Sequence, residues 1–224
     1  RAYNHALSDE QMLALADKTD VIKGVEEERE QLIGPPAIGP PAFTFDKYES
    51  HISKPVNLGQ AYDLPGGAFS MAAWVQVALP GQLENQAPGR ILSKRSDGVV
   101  GWEFVAPRIN GKISFLGNQR HLDIGTTRLD DGVAHHVAVV YDGFSIIRAF
   151  LDGKLDGQQA IGPLHPVPEV DLWAGTYMGR DDHIFGRGTE DKFWDVRAYN
   201  HALSDEQMLA LGAPRRPAKS AGKK

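Results

Sequence analysis

Residues 130–157 read DDGVAHHVAVVYDGFSIIRAFLDGKLDG, and this stretch decides the fold. Four Asx-Gly pairs punctuate it: Asp131-Gly132, Asp142-Gly143, Asp152-Gly153 and Asp156-Gly157. Such pairs supply the positive φ angles of tight hairpins, so the segments between them are predicted to be antiparallel strands. In HHVAVVYD (135–142), Val137, Val139 and Tyr141 point one way, while His136, Ala138 and Val140 point the other. Both sets are largely apolar, which predicts a strand covered on both sides, as in the middle of a sandwich.

The same texture extends outward. Asp97-Gly98 and Asn110-Gly111 add two more turn signals. Strands are expected at FSMAAWVQV (69–77), RILSK (90–94), WEFVA (102–106), KISFL (112–116), SIIRAFL (145–151) and KFWDVRAY (192–199). After residue 43 one helix is expected, SDEQMLAL at 204–211, opened by Ser204 and Gln207 as a capping box. Short strands at this spacing mean an all-β sandwich or barrel.

The ends read differently. Residues 8–33 suggest a helix, with Ser8 and Gln11 as its capping box and Leu15, Ile22, Val25 and Leu32 along one side. GPPAIGPPA (34–42) carries two Pro-Pro pairs, which favour extended backbone, and so reads as a linker. Residues 212–224 are basic and read as a solvated, disordered tail. RAYNHALSDEQMLAL occurs twice, at 1–15 and at 197–211. In the second copy it would finish the last strand and cap the helix. The first copy is most simply the end of an upstream repeat in a tandem array, which makes 1–33 a borrowed helical segment. The rival account is self-association, in which the first copy docks on a neighbouring molecule as the second docks on its own.

Bulk properties exclude several classes. The 224 residues suffice for one large domain with its own core. With no cysteine there are no disulfides, thiolate metal sites or Cys nucleophile. A net charge of −5 argues against general nucleic-acid binding, and no apolar run is long enough to span a membrane.

Taken in order, FSMAAWVQV, GRILSKRSDGVVGWEF, GKISF, DDGVAHHVAVVYDG, IRAFLDGKLDG and MGRDD…FWDVRAYNHALS resemble the laminin-G-like domain of the concanavalin-A-like lectin and glucanase superfamily. The likeness is closest to the family's bacterial branch. It runs from AFTFD (42–46) to MLAL (208–211), within a domain placed at 43–211. It implies a jelly roll of two antiparallel sheets, a secreted, cell-surface or periplasmic setting, and ligands met on the concave sheet or on the loops of one rim. The chain departs from the family pattern at two places. Ala134 stands where Trp usually precedes the histidines, and Lys47 stands where Gly often follows Phe-Asp.

Because the superfamily includes glycosidases, the carboxylates bear testing. A retaining enzyme needs two of them about 5 Å apart. In TEDKFWD, Glu190 and Asp195 fall on opposite faces of a regular strand, while Asp191 and Asp195 share a face about 13 Å apart. No Gly-x-Ser-x-Gly elbow marks a Ser-His-Asp triad. His135 and His136 point to opposite faces, so the pair reads as hydrogen-bonded strand-end histidines rather than metal ligands. The expectation is a non-catalytic module that binds a glycan or, alternatively, a protein partner of the same assembly.

Glycan readers stack sugars on aromatic faces and orient them with a few polar groups. Of the four tryptophans, Trp74 is expected in the core and Trp194 packed inward with Val196. Trp102 and Trp173 adjoin loops and are the candidates for exposure. Asn118, Arg120 and His121 in NQRHLD, with Arg180 and His183 in RDDH, complete the expected rim. The resemblance also implies a structural calcium ion clipping the first strand to the last, near Asp46 and Asp195, with pairing to Arg197 as the alternative. A second calcium candidate is the loop group Asp97, Asp181 and Asp182.

Overall fold

The computed structural model describes residues 38–49, 54–77, 89–96, 99–106, 110–176 and 191–213. The expected helical segment 1–33, the first four residues of the Pro-rich linker and nearly all of the basic tail lie outside them. The described part is an antiparallel sandwich of twelve strands in two sheets of six, closed by one short helix.

Sheet A has the order β1-β12-β3-β8-β9-β10. Its strands are β1 (Phe43–Glu49), β12 (Lys192–Tyr199), β3 (Phe69–Gln76), β8 (Ala134–Tyr141), β9 (Ile146–Leu151) and β10 (Lys154–Ala160). Sheet B has the order β2-β11-β4-β5-β6-β7. It comprises β2 (Val56–Gly59), β11 (Leu172–Ala174), β4 (Arg90–Ser96), β5 (Val99–Val105), β6 (Ser114–Gly117) and β7 (Arg120–Asp123). First and last strands pair, as do β12 and β3, so the chain closes on itself through β12.

Within the decisive stretch, HHVAVVYD behaves as its pattern predicts. Val137, Val139 and Tyr141 enter the core between the sheets with Phe69, Met71, Val75, Phe104, Phe115 and Phe193. Ala138 and Val140 enter a second cluster on the outer face of sheet A, with Ala72, Phe150, Tyr199, Leu203 and Met208. Helix α1 (Asp205–Gly212) covers that second cluster.

The helix is seated by specific bonds. Ser204 Oγ accepts the Gln207 N–H, and Gln207 Oε1 accepts the Ser204 N–H, closing the expected capping box. Ser70 Oγ, on β3, donates to His201 O and accepts the Leu203 N–H, both at 2.9 Å. Arg148 pairs with Asp205 at 2.6 Å. The Asp152-Gly153 turn between β9 and β10 passes close beneath the helix. A Cβ at Gly153 would lie 2.7 Å from Leu209 Cα, and φ there is +79°. Only glycine satisfies both conditions.

Three local readings differ from expectation. Asp156-Gly157 is not a hairpin turn but a register shift within β10, where the Asp156 carboxylate accepts from Thr126 and Thr127. NQRHLD is not a loop: Asn118 and Gln119, at φ +49° and +60°, make a glycine-free turn, and 120–123 form β7. The third difference concerns Trp194 and sets up the site.

Candidate binding face

KFWDVRAY would alternate regularly if β12 were flat, putting Trp194 beside Val196 on the core side. Instead the pairing of β12 with β3 shifts register between Trp194 and Arg197. Asp195 takes φ +51°, a left-handed conformation that Asp tolerates better than most residues. Arg197 donates to both Asp195 oxygens, from Nε at 2.8 Å and Nη2 at 2.9 Å. Phe193 and Val196 therefore both face the core, while Trp194 is turned to the outer face of sheet A. A bulge re-aiming one side chain in this way is a recurrent device near binding sites.

There Trp194 meets Trp74. The rings stack 6.1 Å apart at 15°, and Trp74 meets His136 edge-on at 5.4 Å. Both indoles are half-buried, so neither fits the inward placement expected from sequence. The register aligns Lys47, Trp194, Trp74 and His136 across four strands, with Lys192, Gln76 and Ala134 in a neighbouring row. Asp46, Lys47, Gln76, Ala134, Lys192 and Trp194 line a hollow of about 630 Å³. Gln76 Nε2 is fixed by Gly132 O at 2.8 Å, which holds the amide in place within the hollow. The two departures from the family pattern, Lys47 and Ala134, both fall on its wall.

Two histidines support this end of the sheet. His135 lies between carboxylates, Nδ1 at 2.8 Å from Asp152 and Nε2 at 3.1 Å from Asp131. Partial burial disfavours its charge, but those two acids outweigh it and raise its pKa. Asp152 also accepts the His136 N–H, tying the β9–β10 turn to β8. The His136 ring is 3% exposed and its Nδ1 has no hydrogen-bond partner. Burial pushes its pKa down to about 4, against the pull of Asp152 and Asp195.

The described residues among those expected to form a rim are scattered. Trp102 is 1% exposed, with its indole N–H on Asp63 at 3.1 Å and its ring edge-on to Tyr62, so it belongs to the core. The reason is its place on β5: alternation along WEFVA sends Trp102, Phe104 and Ala106 inward together. Asn118 serves the fold, its amide donating to Ile161 O and Pro163 O. Arg120 is exposed beside that turn. Trp173 and His121 lie on one ladder row of sheet B, Trp173–Ser93–Glu103–Leu116–His121. Four strand spacings separate them, about 19 Å. Between them Glu103 is 0% exposed. It pairs with Arg90 Nε at 2.8 Å, accepts from Ser93 Oγ at 3.1 Å, and lies 3.8 Å from His121 Nε2. Arg180 and His183 lie outside the described residues.

For calcium, Asp46 and Asp195 occupy matching positions across β1 and β12, as the resemblance implies. Asp195 is already engaged by Arg197, and among the described residues no group of three or more metal-ligating side chains converges. Asp97, Asp181 and Asp182 lie outside the described residues.

The hollow and its stacked indoles were missed because the argument from period assumed an unbroken strand through FWDV. A helix long and apolar enough to cross a membrane is absent among the described residues.

Similar folds occur among toxin domains. The binding domain of Paraclostridial Mosquitocidal Protein 1 matches with a TM-score of 0.55 at 9% identity, over 76% of this chain and 45% of that one. The botulinum neurotoxin serotype D binding domain matches at 0.54 and 14%, over 75% and 42%. The serotype D ligand binding domain in complex with N-acetylneuraminic acid matches at 0.53 and 13%, over 75% and 42%. The chain thus spans less than half of each, and at these identities the likeness is one of fold. Curated proteins include no sequence match. The Laminin_G_3 family model, described as concanavalin A-like lectin/glucanases superfamily, matches residues 50–208, and the chain belongs to that family.

Proposed function

We propose that this domain is a non-catalytic, lectin-like module that holds saccharide on the outer face of sheet A, as part of a larger exported protein. The observation that carries this reading is the Trp194–Trp74 stack beside the hollow of about 630 Å³. A partly exposed indole offers a flat apolar surface for the C–H face of a sugar ring. Around it stand an amide, two ammonium groups and a carboxylate, the few orienting polar groups that such a site needs. Among the described residues the hollow is lined by one carboxylate, Asp46, which is not the pair of acids that glycoside hydrolysis uses. The serotype D complex with N-acetylneuraminic acid shows a protein containing a similar fold holding a sugar, which supports the ligand class.

The test is a glycan array, run with and without calcium, on the wild type, Trp194→Ala and Ala134→Trp. Wild-type binding is expected to fall at least about tenfold in Trp194→Ala, which removes the platform, and in Ala134→Trp, which fills the hollow. Binding that survives both variants would place the site elsewhere. Absence of any glycan binding favours the second reading, a protein-interaction module. Its support is a pair of half-exposed leucines, Leu155 at 51% on β10 and Leu209 at 52% on the adjacent helix. Self-association through residues 1–15 belongs to that reading, and sedimentation of the chain with and without them tests it.

A further inference from the structure

We infer that the hollow selects acidic saccharides, those carrying a carboxylate on the ring or its side arm, over neutral ones. The inference rests on the saccharide reading above and names its substrate class. Lys47 and Lys192 approach Trp194 from β1 and β12, and Asp46 is the one acid among the described lining residues. The described lining residues thus include two lysines against one aspartate, on a chain whose net charge is −5. A cationic spot on an acidic molecule is a local feature and not a spill-over of general basicity.

Lys192 matters most. It is half-buried on a central strand pairing, in register with Gln76, and has no ion-pair partner among the described residues. Side chains of lysine usually reach into water, yet here Lys192 is half-buried and lines a hollow together with Ala134 and the Trp194 indole. A ligand carboxylate would supply the partner that the fold does not. With the sugar ring on Trp194, an acidic group at its edge falls toward the lysines, and Gln76 is held rigid by Gly132 O to meet a hydroxyl. Ion pairing of this kind gives a bound anion a charge-assisted contact that a neutral ester or alcohol lacks.

The test compares matched pairs by titration calorimetry on the intact chain: oligogalacturonate against its methyl ester, and sialyllactose against lactose. In at least one pair the acid is expected to bind about tenfold more tightly than its neutral partner, and the preference should shrink between 50 and 500 mM salt. Lys192→Gln is expected to weaken the acid member of the responding pair about tenfold more than its neutral partner, so that the preference disappears. Which pair responds distinguishes a uronic acid from a sialic acid source. Equal affinity within both pairs, or a Lys192→Gln variant that weakens acid and neutral sugar alike, overturns the acidic selectivity and leaves saccharide binding standing. If no member of either pair binds, both readings fall.

Discussion

On the outer face of sheet A, Trp74 and Trp194 lie half-buried beside a hollow; on the outer face of sheet B, Ser93 and Glu103 are 0% exposed and tied to Arg90. Both faces carry residues that a lectin reader would list as site material: aromatics, amides, acids and bases. What separates them is commitment. Glu103 is already engaged by Arg90 and Ser93, whereas the lining of the sheet A hollow includes an ammonium, Lys192, without an ion-pair partner among the described residues. A buried charge pair fixes structure, and a half-exposed platform with uncommitted charge is available to a ligand.

The largest effect that sharpens this contrast is expected from sheet B. Glu103→Leu removes the carboxylate from Arg90, itself 5% exposed, and leaves a buried guanidinium undercompensated. The cost is expected to be about 3–5 kcal/mol, which lowers Tm by roughly 10 °C in calorimetry. The double variant Arg90→Met with Glu103→Leu should recover most of that loss, because apolar replacement of both partners is often neutral. Saccharide affinity of the folded fraction is expected to stay at its wild-type value. A Glu103→Leu variant that melts normally but binds poorly would reverse the roles assigned to the two faces.

A middle-sized effect belongs to sheet A and depends on pH. His136 has a folded pKa of about 4 against an ordinary value of 6.5, because burial disfavours its charged form. Its contribution is therefore complete above pH 6.5 and is lost as pH falls from 6.5 toward 4, in total about 3 kcal/mol. His135 runs the other way: burial works against it, but Asp152 and Asp131 raise its pKa. Its contribution is complete below 6.5 and is lost as pH rises through the raised value. Urea titrations at pH 7.5 and 4.5 should show a smaller acid loss in His136→Gln than in the wild type, and a larger one in His135→Asn. Identical pH profiles for all three would mean that the end of the sheet beneath Trp74 is not held by these rings.

Much of the sandwich was legible in residues because its strands are long, apolar and bounded by Asx-Gly pairs. Of the five strands outside that pattern, β1 was reached through the resemblance alone, and β2, β7, β10 and β11 are three to seven residues long. β10, KLDGQQA, is a polar edge strand whose register comes from β9 and not from any apolar pattern of its own. The resemblance carried the fold further than the site. Trp102 read as loop-adjacent because GVVGW contains turn-like glycines, yet β5 runs from Val99 to Val105, straight through Gly101. The Trp194–Trp74 pair was illegible for a sharper reason. A period-two argument inverts every side chain beyond an unseen bulge, and Asp195 is such a point. The one signal that could have exposed it is the chain's departure from family pattern at Lys47 and Ala134, both of which prove to flank the same hollow.

The smallest effect probes whether the two halves of sheet A's outer face are independent. α1 covers one half through Leu203 and Met208, and the hollow occupies the other. Ser204→Ala deletes the acceptor for the Gln207 N–H and half of the capping box, at an expected cost of about 1 kcal/mol, or a Tm lower by roughly 2–4 °C. The helix should remain seated, because Ser70 still holds His201 and Leu203, and Met208 is fully buried. None of the six lining residues lies on α1, so the Kd for saccharide should be unchanged. Of the strands that run through both halves, β12 lies nearest the helix in sequence and carries Trp194 before the bulge and Tyr199 after it. If Ser204→Ala weakens binding as well as stability, loosening of Tyr199 has travelled back along β12 through Asp195. The bulge would then be a coupling element and not merely the device that turns Trp194 outward.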